Sequence, residues 1–261
     1  MIGFFDSGYG GLLIMKECLK ALPKMSAVYF GDNARAPYGS RTEEEIFSFT
    51  VQGVKFLFAQ GCNLVILACN TASANALRRI QQEIVPQYPG KNVLGILVPT
   101  VEQISGGGVV GVFATPATVA SHAYAKEITH RNPQAQVIEI ACSELVPRIE
   151  AGASLDELRP LVHGYANEMK RRGEVAAILL GCTHYPLIRN LFIEEFPKTP
   201  LYDQGTIVAQ SLRVYLDRHP EYVDESARTP QFFTSGEPAV VENVAGRIFH
   251  DRGIIFTAIK V

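Results

Sequence analysis

No stretch of the 261 residues comes near the roughly 18 consecutive apolar residues that a membrane-spanning helix needs. Charge of one sign is equally scarce. The net charge is -2 with 19% of residues charged, which leaves no basic footprint for nucleic acid or an anionic membrane. The opening Met1-Ile2-Gly3-Phe4-Phe5-Asp6 enters a strand-like run at once, without the basic and apolar regions of a secretory signal. These absences point to the cytoplasm, where thiols stay reduced. The five cysteines agree: their number is odd, and no two stand as C-x-x-C. Low-complexity tracts and long charge runs are missing as well. What is present is 47% apolar, ordinary for a globular chain, and long enough for one large domain or two modest ones.

Two matching stretches stand out, Ile66-Leu67-Ala68-Cys69-Asn70-Thr71 and Leu179-Leu180-Gly181-Cys182-Thr183-His184. Each begins as a short apolar run bounded by polar residues, the pattern of a buried parallel strand. Each then delivers a cysteine, with Thr71 or Thr183 close behind, at the strand's carboxyl end. Ligands of open α/β sheets bind at that edge. A lone cysteine is usually a small buried hydrophobe, and Cys18, Cys62 and Cys142 read that way. Two similarly placed thiols with polar company suggest a pair facing one substrate.

The rest of the chain alternates strand and helix, which implies βαβ units and parallel sheets. Strands are expected at 2–5, 27–30, 93–97, 109–113, 137–140, near 232 and at 254–259. Thr42-x-x-Glu45 and Ser154-x-x-Glu157 are capping boxes that open helices. A second half begins near Pro99-Thr100, whose short helix is broken at Ser105-Gly106-Gly107-Gly108. One helix should run from about Ala114-Thr115-Pro116 to His130, and another from Tyr185 to Phe196. The fold class is α/β: two similar lobes with largely parallel sheets and a central cleft.

Asp6-Ser7-Gly8-Tyr9-Gly10-Gly11 follows a strand and opens a helix. It lacks both the G-x-G-x-x-G spacing and the Lys-Ser/Thr of a P-loop, so it suits a small carboxylate better than a diphosphate. Gly181-Cys182-Thr183-His184 gathers a thiol, a hydroxyl and an imidazole, and His184 could hold a proton for Cys182. Zinc fits poorly, because the paired ligands of structural sites and the H-x-E with P-C-x-x-C pattern are absent, so no metal is expected. A thiol protease or transferase leaves the second cysteine unexplained. Two opposed thiols suit removal of a proton from one face of a carbon and its return to the other. No lysine sits at a strand end or in the motifs to carry pyridoxal, so the chemistry should need no cofactor.

These stretches, with Gly31-Asp32-Asn33-Ala34-Arg35-Ala36-Pro37-Tyr38-Gly39 and the run Cys182-Thr183-His184-Tyr185-Pro186, together resemble glutamate racemase of the aspartate/glutamate racemase superfamily. The resemblance spans Ile2 to about Asp217 in order and spacing. It implies a cofactor-independent, two-base interconversion of L- and D-glutamate that supplies D-glutamate for peptidoglycan. Cys69 and Cys182 would be the proton donor and acceptor, assisted by Asp6 and His184 respectively, with Glu150 as an acid near the second thiol. Asp6, Ser7, Pro37, Tyr38, Gly39, Asn70, Thr71, Thr183 and His184 would hold the substrate, and Thr115 and Thr118 would add hydroxyls. It further implies that 1–97 plus 208–261 form the first lobe and 98–207 the second, and that the enzyme is a homodimer. Cys142-Ser143-Glu144-Leu145 departs from the family's Cys-Pro followed by apolar residues, and Arg148 stands at a usually apolar position. The alternatives are an aspartate or other amino-acid racemase of the superfamily, or an amino-acid-binding regulatory protein without turnover.

Overall fold

A computed structural model describes residues 1–104, 107–224, 226, 228–251 and 253–260. In chain order, β1 (Ile2–Asp6), α1 (Gly11–Ala21), β2 (Ala27–Gly31), α2 (Glu43–Ala59), β3 (Leu64–Leu67), α3 (Asn70–Asn75), α4 (Leu77–Arg79) and β4 (Asn92–Gly95) come first. Then follow α5 (Leu97–Glu102), β5 (Val109–Ala114), α6 (Pro116–Ser121), α7 (Ala123–Arg131), β6 (Gln136–Ala141), α8 (Leu145–Glu150), α9 (Leu155–Arg172), β7 (Ala177–Gly181), α10 (Arg189–Glu195) and β8 (Leu201–Tyr202). α11 (Gly205–Arg218), β9 (Gln231–Thr234), α12 (Pro238–Phe249) and β10 (Phe256–Ala258) come last.

The strands form two sheets, ordered β10-β9-β2-β1-β3-β4 and β6-β5-β7-β8. Among the described residues every pairing is parallel. β1, β2, β3 and β7 are buried along their whole length, which is why they read as unbroken apolar runs rather than alternating ones. Both capping boxes form: Thr42 and Glu45 bond reciprocally, as do Ser154 and Glu157. One apolar cluster joins residues of both sheets, among them Phe4 and Ile66 of the first and Val112 and Leu179 of the second.

The helix expected to reach His130 from Thr115 is in fact two, α6 and α7, with His122 between them at φ 53°. Ser121 is the local cause. Its Oγ donates to the Thr118 carbonyl (2.6 Å) and accepts from the Ala123 amide (3.2 Å), so a side chain competes for groups of the helical ladder. The helix expected at Tyr185 opens as a 3-10 turn, Tyr185–Ile188, before α10. β8 is too short to leave a periodic signal, and only its pairing with β7 reveals it. The break expected at Ser105-Gly106 lies outside the described residues.

Candidate active site

The loops leaving the carboxyl ends of the two sheets meet. β1 ends at Asp6 and β3 just before Cys69; across from them, β5 ends before Thr115 and β7 before Cys182. Cys69 is the N-cap of α3, and its Sγ accepts from the Ala72 amide at 3.5 Å. Ser7 Oγ lies 3.3 Å from the same sulfur. On the other side, Cys182 Sγ lies 3.8 Å from His184 Nδ1, and His184 Nε2 lies 3.0 Å from Glu150 Oε1. Tyr9 rests its ring on His184, with centroids 5.2 Å apart.

The turn after β1 lies between these groups. A Cβ on Gly8 would fall 2.6 Å from Glu150 Oε1, and one on Gly10 would collide with Thr183 Oγ1 and come within 2.8 Å of His184 Nδ1. The glycines at these two positions therefore let the backbone approach the other lobe's side chains, rather than a ligand alone. A hydroxyl ring completes the junction. Thr71 and Thr115 are 2.9 Å apart, Thr115 and Thr118 3.0 Å, and Thr118 donates to Thr71 at 3.3 Å. Gly39 lies against Thr115.

A sequence profile for the family described as Asp/Glu/Hydantoin racemase matches residues 10–212, most of the chain. The chain belongs to that racemase family. The glutamate racemase of Ruegeria pomeroyi is 43% identical over 98% of this chain and 99% of its own length. Among solved structures, the glutamate racemase of Francisella tularensis in complex with D-glutamate superposes with a TM-score of 0.90 at 30% identity, covering 99% of this chain and 97% of that one. That of Bacillus anthracis gives 0.91 at 28%, covering 100% and 97%. The Asp/Glu racemase fold, and the class of isomerase that goes with it, is thereby shown for this chain.

Within this racemase the two thiols have unlike surroundings. Burial and the neighbouring Asp6 charge push the Cys69 thiol up to about 12, against the hydrogen bonds from Ser7 and Ala72. Burial also raises Asp6, opposed by the His184 charge and by the Gly11 and Gly8 amides. Its Oδ2 accepts from Gly8 at 3.0 Å, while the buried Oδ1 has no hydrogen-bond partner. Burial alone would lower His184. The hydrogen bonds to Cys182 and Glu150, and their charges, outweigh it and hold the imidazole well above 6.5. With Ser143-Glu144 in place, Glu150 is in contact with His184. Glu144 caps α8, with its amide donating to Tyr165 Oη at 3.2 Å, and Glu150 lies at the far end of α8.

Tyr38 and Asn70 sit at the site with their side chains already engaged. Tyr38 Oη donates to Asp32 Oδ2 at 2.5 Å, and Asn70 bonds Gln204 and Tyr124. Pro37, half-buried, precedes Tyr38 through a cis Ala36-Pro37 peptide. Sequence reasoning missed Asp32, Ser235, Tyr124 and Gln204 as supports of the site. Asp32 lies within the quoted Gly31–Gly39 motif and could have been weighed; the other three carry no local signal. Among the described residues, no group of three or more His, Cys, Asp or Glu is arranged to hold a metal ion.

Proposed function

We propose that this racemase interconverts L- and D-glutamate by passing the α-proton between Cys69 and Cys182, without a cofactor, and so supplies D-glutamate for peptidoglycan in the cytoplasm. The observation that carries the reading is the turn from Asp6 to Gly10. Its Ser7 hydroxyl lies on the Cys69 sulfur, while its Gly8 and Gly10 lie on Glu150, Thr183 and His184 beside Cys182. A small substrate is then held between the lobes 1–97 with 208–261 and 98–207. The likeness to proteins named glutamate racemase supports glutamate as that substrate.

In this reading a thiolate at one cysteine removes the α-hydrogen, and the neutral thiol of the other delivers a proton to the opposite face. The two sulfurs end with their protonation exchanged, ready for the reverse direction, and no net proton is consumed. The α-hydrogen is a weak acid, so the carbanion needs fixed donors in a dry site. Ser7, Thr183 and the ring of Thr71, Thr115 and Thr118 offer hydroxyls for that purpose and for the two carboxylates. His184, paired with Glu150, gives a thiolate at Cys182 a positive neighbour. Asp6 stands in the matching place beside Cys69, where its charge acts on the thiol.

The test follows each enantiomer of glutamate in heavy water by α-hydrogen exchange and optical rotation. Cys69→Ser and Cys182→Ser should each cut kcat by about 10²- to 10⁴-fold, the usual worth of a positioned acid or base, with circular dichroism unchanged. Near-normal turnover by either variant would sink the two-thiol mechanism. Faster turnover of aspartate would sink glutamate as the substrate, and absence of exchange with any amino acid would leave a binding protein.

A further inference from the structure

Four polar side chains from four separate segments meet in the interior: Asn70 on α3, Thr100 on α5, Tyr124 on α7 and Gln204, the N-cap of α11. None is more than 2% exposed. Asn70 and Gln204 form a reciprocal amide pair, with Asn70 Nδ2 donating to Gln204 Oε1 at 2.6 Å and Gln204 Nε2 donating to Asn70 Oδ1 at 2.8 Å. Tyr124 Oη donates to the same Asn70 oxygen at 2.5 Å. Gln204 Nε2 also reaches Tyr124 Oη at 2.8 Å and Thr100 Oγ1 at 3.3 Å. Thr100 in turn donates to the Ile96 carbonyl at 2.7 Å.

The place of this cluster is informative. Asn70 is the residue next to Cys69 and the first of α3, so its side chain anchors the turn that aims the thiol. Thr100 and Gln204 lie on the two crossings of the chain between the sheets, β4 to β5 and β8 to β9, Gln204 just ahead of α11 on the second. Buried amides and hydroxyls cost free energy unless every group is bonded, and apolar side chains of the same size would fill this space without that cost. A fully bonded polar cluster contributes instead a single fixed geometry.

We propose that Gln204 is a positioning residue of the racemase: through Asn70 it fixes the Cys69-Asn70-Thr71 turn and ties both inter-lobe crossings to it. The inference rests on the two-thiol reading above for its effect on turnover, but not for its effect on Cys69 itself. Asn70 then holds the thiol in register, with its side-chain oxygen and one of its two amide hydrogens bonded within the cluster.

Two variants test it. Gln204→Met keeps length and bulk without hydrogen bonds, and Tyr124→Phe removes one hydroxyl and keeps the ring. Each is checked for folding by near-ultraviolet circular dichroism. Steady-state racemisation of both glutamate enantiomers is then compared with iodoacetamide labelling of Cys69 and Cys182, read by peptide mass spectrometry. Small misplacements at a reacting centre cost up to about 100-fold, so kcat should fall about 10- to 100-fold with a smaller change in KM. Cys69 should label faster than in wild type while Cys182 keeps its rate. General loosening would alter both thiols alike, and that result overturns the proposal. So does a folded variant with wild-type kcat, or one with a wild-type Cys69 labelling rate. Should Gln204→Met fail to fold, Tyr124→Phe decides alone. A wild-type protein that racemises no glutamate defeats the function reading instead, and the labelling comparison then decides this one.

Discussion

Asp6 is fully buried at the end of β1, with one oxygen held by the Gly8 amide and the other unbonded. Burial raises its pKa above 3.8, so the folded protein binds the Asp6 proton more tightly than the unfolded chain does. The stability that follows is fully present below 3.8 and is lost as pH rises through the folded-state value. Asp6→Asn cannot titrate, so the stability of wild type relative to this variant should be greatest in acid and decline toward neutrality. Thermal melts of both proteins across that range measure it; a constant difference would mean that Asp6 is not the titrating group. The cysteines and His184 were legible one residue at a time, because each stands beside a short apolar run with a threonine at hand. Glu150 was not legible from its surroundings. It lies 34 positions from the histidine it bonds, and only the family resemblance singled it out. Gln204 was beyond reach for the same reason, 134 positions from Asn70, with nothing local to mark a buried glutamine.

The loop from Gly31 to Gly39 shows what an element contributes. Asp32 is fully buried and accepts from Tyr38 Oη, from Arg35 Nε at 2.7 Å and from Ser235 Oγ at 2.6 Å. Ser235 Oγ also accepts from the Ala34 amide at 3.1 Å, and Thr234 donates to Asn33 Oδ1 at 2.8 Å. The end of β9 therefore clamps the loop that carries Pro37, Tyr38 and Gly39 toward Thr115. Ser235→Ala should raise KM for glutamate about threefold to tenfold, within what one hydrogen bond contributes, and leave kcat near wild type. Steady-state kinetics check this, and an unchanged KM would mean that the loop holds its place without β9. Elements with local signals were readable: the Thr42 and Ser154 caps needed only three residues each. The clamp was not, since Asp32 and Ser235 are 203 positions apart. The helix break at His122 was hidden too, because a serine side chain rather than a proline or glycine causes it.

At the scale of the whole molecule, alternation of strand and helix was enough to give two parallel α/β layers, and the two cysteine motifs marked the carboxyl edge of one strand in each. What alternation could not give was the strand order, which places β9 and β10 beyond β2, or the apolar cluster that runs across both sheets. A ligand that binds the folded chain and not the unfolded one stabilises the fold. Glutamate at 100 times its Kd adds about 2.7 kcal/mol. At about 2–4 °C per kcal/mol for chains of this size, the melting temperature should rise by about 5–10 °C. L- and D-glutamate should give the same rise, since an active enzyme equilibrates them during the scan. A shift with one enantiomer alone would contradict racemisation.

The sheet order also bears on how the chain matures during translation. All four strands of the second sheet leave the ribosome before β9, whereas the outer edge of β2, which runs Ala27-Val28-Tyr29-Phe30-Gly31, has no neighbour on that side until residue 231 has emerged. An unpaired apolar edge of that kind invites pairing with another chain. Nascent protein stalled short of β9 is thus exposed to aggregation along β2, and the emergence of β9 is the step that covers this edge.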